Sequence, residues 1–585
     1  MLKSLRSWES GARRPRTAER DLAMSDLSLQ EAIEQVKSEE LFAVEDCEID
    51  GVNFKTFKNG PRNLRELLDR SLQFGDTDFL VYEDERYTFK EVHTNVLRLM
   101  SALVNDYGVQ PGDRVALLMR NAPEYPMLFM AIACVEAVPV FLNSWWTSQE
   151  LEYGFADSEA KLVFADEPRA ANMESFADKL GITRVVVRSK SMQKLPGFWD
   201  LIDNEPANDA PDIDIDPDSD FAVMYTSGSS GHPKGVVTTH RSAVSAAQQW
   251  VFGAQVAVLL NFAPAPTIDV NGQPYQPCTM MTTPFFHISA THANFLLSLW
   301  MGLKLVILYK WDARRAAEII DREKVSRFAC VPTMSAELID AAAEMGSELA
   351  SLRTIDSGGA KRPAAQLDKM VERVPHALPG TGWGMTETGG PGIGMRGELY
   401  RDNPDAAGRL QPPLMQMRIV DDDDNDLPTG EVGELVVKGV SNMRCYLNKP
   451  KETAAALRDG WLYTGDLAKV DEHGMITIVD RKKDMIIRGG ENISCSEVNA
   501  ALHQHPSVLE AVVFSIPDER LGEDVGACVH LRDATTATES ELQEFLRTQL
   551  ASYKIPKRIW FRDEPLPRGA TEKIDRLAIR AEYIG

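Results

Sequence analysis

A loop rich in glycine and serine lies near the middle of the chain and reads Tyr225-Thr-Ser-Gly-Ser-Ser-Gly-His-Pro-Lys-Gly235. It follows the strand-like run Phe221–Tyr225, and a helix is predicted to begin near Arg241. Glycines let the backbone turn tightly and aim its N–H groups at an anion, while the hydroxyl groups and Lys234 add donors and a positive charge. The loop therefore predicts a polyphosphate-binding site, formed by residues that lie close together in the chain: Thr226, Ser227, Gly228, Ser229, Ser230, Gly231 and Lys234.

Two other interpretations of this loop are disfavoured. A Walker A loop has the pattern G-x-x-x-x-G-K-[ST], whereas here Gly231 is followed by His-Pro-Lys-Gly. A flexible linker does not normally lie between a buried strand and a helix. The sequence thus indicates a phosphate-binding loop of another kind.

Strand-like and helix-like runs alternate on both sides of this loop. Arg114–Met119 is typical of a strand and precedes the predicted helix Glu124–Glu136. Later in the chain, the predicted strand Arg327–Val331 precedes the predicted helix Ser335–Ala343. Alternation of this kind implies parallel sheets that are covered by helices on both faces.

The predicted fold class is α/β, with a large N-terminal domain of helix-covered, mostly parallel sheets and a small β subdomain. Short β runs with turn signals such as Pro428-Thr429-Gly430 indicate the β subdomain after about Asp405. A mixture of helices and strands after Lys483 predicts a small α+β domain. The predicted boundaries give an N-terminal extension at 1–45, the large domain at 46–482 and the C-terminal domain at 483–585.

Composition and charge restrict the function classes. Apolar residues make up 44% of the 585 residues and charged residues 26%, which excludes global disorder. The net charge of −24 argues against a nucleic-acid partner, because phosphate backbones are attracted by basic surfaces. Seven scattered cysteines without a C-x-x-C pair favour a reducing, cytoplasmic location over a disulfide framework or a structural zinc site.

No segment has the length and apolar character of a transmembrane span. Peripheral contact with a membrane is compatible with the sequence, although no amphipathic anchor stands out. Residues 1–23 are basic and lack an apolar core, so we do not interpret them as a secretory signal. They are interpreted as an extension that precedes Met24, with a transit peptide as the alternative.

The loop Tyr225–Gly235 resembles the signature loop of the acyl-adenylate-forming superfamily, which includes acyl-CoA synthetases, adenylation domains and firefly-type luciferases. The later stretch Gly382-Trp-Gly-Met-Thr-Glu-Thr388 resembles the second signature of that family. The resemblance implies that Trp383 stacks on adenine, that Thr386 bonds the α-phosphate and that Glu387 binds Mg²⁺, which prefers oxygen ligands. Taken alone, Thr386-Glu387 also suits a helix-start cap. The same resemblance assigns three neighbours to nucleotide binding: Gly382, Gly384 and Met385.

Two further stretches resemble nucleotide-binding motifs of the family, Ser357-Gly-Gly-Ala360 and Tyr463-Thr-Gly-Asp466. The resemblance implies that Gly359 and Ala360 lie along the adenine and that Asp466 accepts hydrogen bonds from the ribose hydroxyls. A simple turn at the end of a strand is the alternative for the first, and an ordinary turn aspartate is the alternative for the second.

The stretch Asp480–Ile493 resembles the hinge region of the family. The resemblance implies that Arg481 contacts ribose or phosphate and that Lys483 is the hinge of a mobile C-terminal domain. It also implies that Gly489 and Gly490 let the backbone approach the pantetheine arm of coenzyme A. A basic β-hairpin is the alternative.

Near the C-terminus, Pro567-Arg-Gly-Ala-Thr-Glu-Lys573-Ile-Asp-Arg576 resembles the lysine motif of the family, which implies a catalytic role for Lys573. The family usually has glycine where this chain has Glu572. In the middle of the chain, Pro284-Phe-Phe-His287 resembles the aromatic-histidine motif beside the acyl carboxylate, and a buried core histidine is the alternative for His287.

The resemblance implies an acid–thiol ligase that uses ATP, Mg²⁺ and coenzyme A. A carboxylic acid would attack the α-phosphate of ATP, with Lys234, Lys573, Thr386, Glu387 and His287 as catalytic residues. No Lys or Arg occurs from Ser242 to Leu303, which disfavours a dicarboxylate as the substrate. Small residues in the same stretch, such as Ala243, Gly253 and Ala290, leave room for an apolar chain, so a medium- or long-chain fatty acid is favoured as the small-molecule substrate. The alternatives are an aryl, terpenoid or steroid carboxylate, an adenylating enzyme that loads a carrier protein, and a nucleotide sensor without catalysis. The chain is expected to be a monomer or a homodimer.

Overall fold

The computed structural model describes residues 27–189, 210–226, 233–262, 272–489, 491–532, 535–569 and 572–584. It also describes eight residues between these ranges, at positions 198, 199, 202, 206, 207, 264, 267 and 268. Residues 227–231 and Gly490, which carry part of the predicted phosphate and coenzyme A contacts, lie outside the described residues.

A seven-stranded sheet forms one layer of the large domain. Its five strands from Asp220–Thr226 to Thr183–Val187 are parallel, and the two strands at the other edge are antiparallel. The strand order is Cys445–Tyr446, Lys234–Thr239, Asp220–Thr226, Val138–Phe141, Arg114–Leu118, Leu162–Asp166 and Thr183–Val187.

A nine-stranded sheet forms the second layer, with six parallel strands at its centre. Its three remaining strands pair antiparallel at the two edges. The order is Arg409–Leu410, Ile393–Arg396, Leu378–Trp383, Thr354–Gly358, Arg327–Cys330, Cys278–Met281, Lys304–Ile307, Asp78–Tyr82 and Glu85–Thr88.

The remaining strands form smaller antiparallel and mixed sheets. The β subdomain contains Gln416–Val420, Gly433–Lys438, Trp461–Val470, Leu457–Arg458 and Ile476–Arg481. The C-terminal domain contains Glu491–Ile493, Ile486–Arg488, Gly522–Leu531, Val508–Asp518 and Arg558–Arg562. A hairpin of Val44–Ile49 and Val52–Phe57 stands apart.

Helices cover the faces of these sheets. The longer helices are Leu29–Lys37, Leu64–Ser71, Phe89–Asn105, Glu124–Cys134, Ser148–Ser158, His240–Leu259, Ala313–Glu323, Pro332–Met345, Ala364–Arg373, Cys495–His503, Glu539–Arg547 and Arg576–Ile584. The shorter helices are Glu167–Ala171, Ala177–Leu180, Ile288–Ala290, Leu297–Met301, Glu398–Asp402 and Pro450–Ala456, and Thr291–Leu296 forms a π-helix. The 3-10 helices are Glu40–Phe42, Leu72–Phe74, Thr386–Thr388, Lys482–Asp484 and Ser552–Lys554.

The helix Glu124–Cys134 links the two large sheets. Every residue of this helix is buried, as expected for an apolar helix that has core on all sides. Its Tyr125 ring stacks between Phe141 of the seven-stranded sheet and Phe285, which follows a strand of the nine-stranded sheet, at centroid distances of 6.0 and 5.0 Å. The core of the large domain therefore lies between the two sheets.

The fold confirms the predicted α/β class with a β subdomain and an α+β C-terminal domain. The helix predicted near Arg241 begins at His240, but the strand Lys234–Thr239, which pairs antiparallel with Asp220–Thr226 before that helix, was not predicted. The run Val236–Thr239 consists of β-branched residues, which suit a strand. The domain boundaries stay predictions.

The N-terminal helix Leu29–Lys37 packs on the large domain. Its Ala32 and Val36 are fully buried, and Phe42, which follows it, lies 5.5 Å from the Phe252 ring in the helix His240–Leu259. The seven cysteines are unpaired, in line with the expectation from the sequence. Within the described ranges, the helices are all too short or too polar to cross a bilayer.

Candidate functional site

Several of the predicted site residues follow parallel strands of the nine-stranded sheet. Thr354–Gly358 leads into Gly359 and Ala360, and Leu378–Trp383 leads into the stretch that contains Thr386 and Glu387. His287 follows the neighbouring strand Cys278–Met281. Because parallel strands end at the same edge of a sheet, these residues from distant parts of the chain share one crevice, where ligands of such sheets bind.

Asp466 is held by two partners from different parts of the fold. The indole Nε1 of Trp383 donates to its Oδ2 at 2.7 Å, and Arg481 Nε lies 2.5 Å from its Oδ1. The residue is only 2% exposed, and this burial raises the pKa of Asp466 while Arg481 opposes the rise. The structure therefore brings together three predicted nucleotide-binding residues around one carboxylate.

The Trp383 ring is covered by Gly392 in the facing segment. A Cβ atom at Gly392 would lie 2.8 Å from Cε3 of that ring. Gly382 pairs with Gly358 and Gly394 in the adjacent strands, and Gly384 approaches the backbone of Gly390 so closely that a side chain would collide with it. The prediction that adenine stacks on Trp383 stays a prediction.

Glu387 lies in a buried pocket with an aromatic hydroxyl. The Tyr446 hydroxyl donates to Glu387 Oε1 at 2.9 Å, and the ammonium of Lys234 lies 4.9 Å from the Tyr446 ring. Burial raises the pKa of Glu387, and the Tyr446 hydrogen bond and the charge of Lys234 oppose this rise. Tyr446 was missed by the sequence analysis, because it lies on a two-residue strand without any motif of its own.

The short helix after Met385 is capped by a threonine that the sequence analysis did not single out. Met385 N donates to Thr388 Oγ1 at 3.2 Å, so Thr388 forms the cap. Glu387 is instead bonded to Tyr446, which disfavours the helix-start alternative for it. A single buried carboxylate of this kind fits Mg²⁺, which usually binds one or two carboxylates together with substrate phosphates.

Lys573 reaches the same crevice from the C-terminal domain. The φ angle of Gly359 is +77°, and a Cβ atom at this position would lie 2.6 Å from Lys573 Nζ. The residue as a whole is exposed, but its ammonium group is enclosed at the end of the strand Thr354–Gly358. Desolvation, together with the positive charge of Arg481, lowers the pKa of Lys573.

His287 lies near enough to Lys573 for the positive charge of Lys573 to act on it. Its Nε2 is buried without a hydrogen-bond partner, and burial together with the charge of Lys573 lowers the pKa of His287 to about 3. The imidazole is therefore neutral at physiological pH and can accept or donate one hydrogen bond, but it carries no charge. An unpaired buried nitrogen that faces a crevice suits a contact with substrate.

Some predicted residues fall at the margins of this site. In the phosphate loop, Thr226 and Lys234 form a strand pair, and Thr226 Oγ1 donates to Lys234 O at 3.4 Å. Ser227, Gly228, Ser229, Ser230 and Gly231 lie outside the described residues. Gly489 N donates to Leu521 O at 2.9 Å within the C-terminal domain.

A chain of polar contacts that the sequence analysis missed links Arg396, which bonds to the strand Thr354–Gly358, with Ser289, two residues after His287. Arg396 donates to both carboxylate oxygens of Asp356 at 2.7 Å, and Arg327 Nε lies 3.6 Å from the same group. Arg327 Nη1 also donates to Asn294 Oδ1 at 2.9 Å, and Asn294 Nδ2 donates to Ser289 O at 2.9 Å. No short-range signal marks these residues, because they lie far apart in the sequence.

An apolar wall lies beside His287. The helix His240–Leu259 carries Trp250, whose Cη2 would lie 3.0 Å from a Cβ atom at Gly390, and Ile288 reaches the same glycine. Gly253, one turn further along the same helix, has open space at the position of a side chain. Phe295 packs in the core against Phe129, at a distance of 5.0 Å between the ring centroids.

Two family models match the chain. The model described as AMP-binding enzyme matches residues 68–447, and the model described as AMP-binding enzyme C-terminal domain matches residues 497–573. The long-chain-fatty-acid–CoA ligase of Bacillus subtilis (strain 168) is 30% identical over 546 residues, covering 88% of this chain and 93% of that enzyme. The 4-coumarate–CoA ligase 2 of Nicotiana tabacum is 30% identical over 502 residues, covering 85% and 89% of the two chains.

A solved structure shares the fold along most of its length. The o-succinylbenzoate coenzyme A synthetase of Bacillus subtilis, in complex with ATP and magnesium ion, aligns with a TM-score of 0.71 and 28% identity. The alignment covers 87% of this chain and 98% of that one.

Proposed function

Because the chain belongs to the AMP-binding enzyme family, we propose that it activates a medium- or long-chain fatty acid with ATP and transfers the acyl group to coenzyme A. It is an AMP-forming acyl-CoA ligase, with ATP and coenzyme A as cosubstrates and Mg²⁺ as the metal ion. The cluster of Lys573, Gly359, Asp466 and His287 in one crevice is the observation that carries the residue assignments.

In the first half-reaction, a carboxylate oxygen of the acid attacks the α-phosphorus of ATP. The bond from that phosphorus to the bridging oxygen breaks, pyrophosphate leaves with the electron pair, and acyl-AMP remains. Two anions repel each other as they approach, so positive groups must face the α-phosphate. Lys573 and Lys234 are proposed for this task, and Asp466 is proposed to hold the ribose.

The metal ion is proposed to bind at Glu387, where it would neutralise charge on the phosphates of ATP. The Tyr446 hydrogen bond orients the carboxylate, because it fixes one of the two oxygens of Glu387. His287, which is uncharged, is proposed to contact the carboxyl group of the acid without adding charge.

In the second half-reaction, the sulfur of coenzyme A attacks the acyl carbon, its proton is released, and AMP leaves with the electron pair of the mixed anhydride. Gly489 is proposed to lie beside the pantetheine arm. A groove of about 800 Å³ lies next to it, and its lining contains four basic and three acidic residues. Arg488 and Lys557 pair with Asp524 and Asp518 in this groove, so phosphates of coenzyme A would compete with these carboxylates for the basic side chains.

The apolar wall supports a fatty acid as the substrate. Trp250, Ile288 and the open space at Gly253 offer apolar surface without a cation that would hold a second carboxylate. The flat face of Trp250 beside Gly390 favours an aryl carboxylate as the second candidate. A reducing compartment such as the cytoplasm is proposed from the unpaired cysteines.

The experiment is acid-dependent release of AMP in the presence of ATP, Mg²⁺ and coenzyme A. The panel runs from acetate to C18 fatty acids and includes aryl and steroid acids. We expect a maximum between C8 and C16 that requires coenzyme A. A maximum on a ring acid would support the second candidate. Release of AMP without a need for coenzyme A would support carrier loading, and binding of ATP without turnover would support a sensor.

A further inference from the structure

The lysine that enters the crevice lies on a tight hairpin. Gly569 N donates to Lys573 O at 2.8 Å, Glu572 N donates to Gly569 O at 2.9 Å, and Arg568 pairs with Ile574. Lys573 therefore begins the returning arm of the hairpin. Its ammonium group reaches the crevice only if the hairpin keeps this shape and the C-terminal domain stays docked on the large domain.

Arg568 holds this hairpin from within the C-terminal domain. Its Nη1 donates to Glu572 O at 3.0 Å, and its Nη2 donates to the carboxylate of Glu510 in the strand Val508–Asp518. Glu510 also accepts from Leu566 N at 2.7 Å, just before the hairpin. Arg568 and Glu510 expose 17% and 11% of their side chains, so this charged contact is weakly screened by solvent.

The same guanidinium group faces the large domain. Arg568 Nη2 lies 4.0 Å from Glu337 Oε1 in the helix Pro332–Met345. The other oxygen of Glu337 accepts from Trp311 Nε1 at 2.6 Å, which fixes the carboxylate in place. Arg568 thus connects the backbone next to Lys573 with a fixed anion on the other domain.

Glu572 works against this arrangement. Its φ angle is +60°, a left-handed conformation that costs free energy for residues other than glycine. Burial raises the pKa of Glu572, Arg568 opposes the rise, and the negative charge of Glu337 adds to it. The guanidinium group of Arg568 lies next to the backbone of Glu572 and 4.0 Å from the carboxylate of Glu337, so the two acidic residues are neighbours of one cation. Two neighbouring carboxylates repel each other when both are ionised.

We propose that Arg568 is the positioning residue that holds Lys573 in the crevice and docks the C-terminal domain on Glu337, while Glu572 opposes this docking. The proposal rests on the proposed function, since Lys573 serves the adenylation step there. Thioester formation from preformed acyl-AMP does not use Lys573. Loss of docking should therefore slow adenylation and spare thioester formation, whereas general damage to the enzyme should slow both.

The test measures both half-reactions in the full-length enzyme. Acid-dependent exchange of pyrophosphate into ATP reports adenylation, and formation of the thioester from synthetic acyl-AMP and coenzyme A reports the second step. For Arg568→Met we expect exchange to fall about tenfold or more, because a buried charge pair loses one partner. Thioester formation should stay within about twofold of wild type, since the domain still folds.

The interaction between Glu572 and Glu337 is tested in a second experiment. Glu572→Gln should raise exchange by about twofold to fivefold, the effect of removing one partially exposed like-charge contact. In a Glu337→Gln background the same substitution should give no gain, because the opposing charge is absent. Arg562→Met is the matched control, since Arg562 pairs with Glu582 inside the C-terminal domain and should leave both half-reactions unchanged.

An equal loss of both half-reactions in Arg568→Met would overturn the positioning role. A gain from Glu572→Gln of the same size with and without Glu337 would overturn the opposing role. Failure of the proposed function itself would look different, because the wild-type enzyme would then catalyse neither half-reaction with any acid.

Discussion

At the scale of single residues, burial determines what the two site carboxylates can do. Glu387 and Asp466 are 7% and 2% exposed, and burial raises the pKa of both carboxyl groups. A buried carboxylate stays useful as an anion only when donors or cations face it. Tyr446 faces Glu387, and Trp383 with Arg481 faces Asp466, so each anion keeps partners before any ligand arrives.

Tyr446→Phe removes the hydroxyl group that orients Glu387. We expect the KM for MgATP to rise about tenfold, because a lost hydrogen bond to a buried charged group costs about 1–3 kcal/mol. The KM for the acid should change much less, since the hydroxyl group bonds to the proposed metal ligand Glu387, whereas His287 is the residue proposed to contact the acid. Steady-state kinetics at several Mg²⁺ concentrations measure both constants.

Tyr583→Phe is the control for this substitution. Tyr583 stacks on Trp560 at 5.1 Å in the C-terminal domain, away from Glu387. If Tyr446→Phe left the KM for MgATP unchanged, the orienting role of the hydroxyl group would be refuted.

At the scale of elements, the helix His240–Leu259 connects the N-terminal segment with the apolar wall. Phe252 lies 5.5 Å from Phe42 and 6.0 Å from Phe57, while Trp250 reaches Gly390 on another face of the same helix. Thr239 begins the helix with a capping box that includes Ser242. The N-terminal segment therefore helps to hold the helix that carries Trp250, and so the apolar wall beside His287, in place.

Phe42→Ala removes the aromatic side chain that covers this helix. We expect the free energy of unfolding to fall by about 3–5 kcal/mol, the usual cost of emptying a buried phenylalanine site. Denaturation followed by circular dichroism measures the change. Leu29→Ala is the control, because Leu29 is 37% exposed and its truncation should cost about 0.5 kcal/mol or less. A small effect at Phe42 would show that the N-terminal segment is dispensable for the core.

At the scale of the whole molecule, the two half-reactions are proposed to use two different parts of one small domain. Lys573 lies in the crevice, whereas Gly489 packs on Leu521 of the C-terminal domain. The connection between the domains passes through the 3-10 helix Lys482–Asp484, where Asp484 lies 3.1 Å from Arg576 and Lys482 lies 3.0 Å from Glu434. A rotation of the C-terminal domain about Lys483 would move Lys573 out of the crevice and bring Gly489 towards it.

Lys483→Pro tests this rotation, because proline fixes the φ angle at one value. We expect thioester formation to fall by about tenfold more than pyrophosphate exchange, since proline suits the helical backbone of the present arrangement. The two half-reaction assays measure the ratio. Lys483→Arg should leave the ratio unchanged, and an equal loss of both activities in Lys483→Pro would argue against a hinge at this position.

Much of the fold could be predicted from the sequence, because strands, helices and turns have local patterns. The predicted strand Arg327–Val331 ends one residue earlier in the structure, and the predicted helix Glu124–Glu136 ends two residues earlier. The strand Lys234–Thr239 was missed, since its pairing with Asp220–Thr226 depends on a turn whose geometry has no single sequence pattern. Local patterns also indicated which residues follow the strands and so enter the crevice.

The sequence alone determined the reaction class, because the motifs that carry it are short and each lies within about a dozen residues. Tertiary structure decided which of these residues meet. Trp383 and Asp466 lie 83 positions apart, and Tyr446 and Glu387 lie 59 apart, yet each pair shares a hydrogen bond. The same holds for Arg568 beside Glu337, which belongs to another domain. Such contacts depend on how whole sheets and domains pack, and no local pattern of residues encodes a distance between elements that are far apart in the chain.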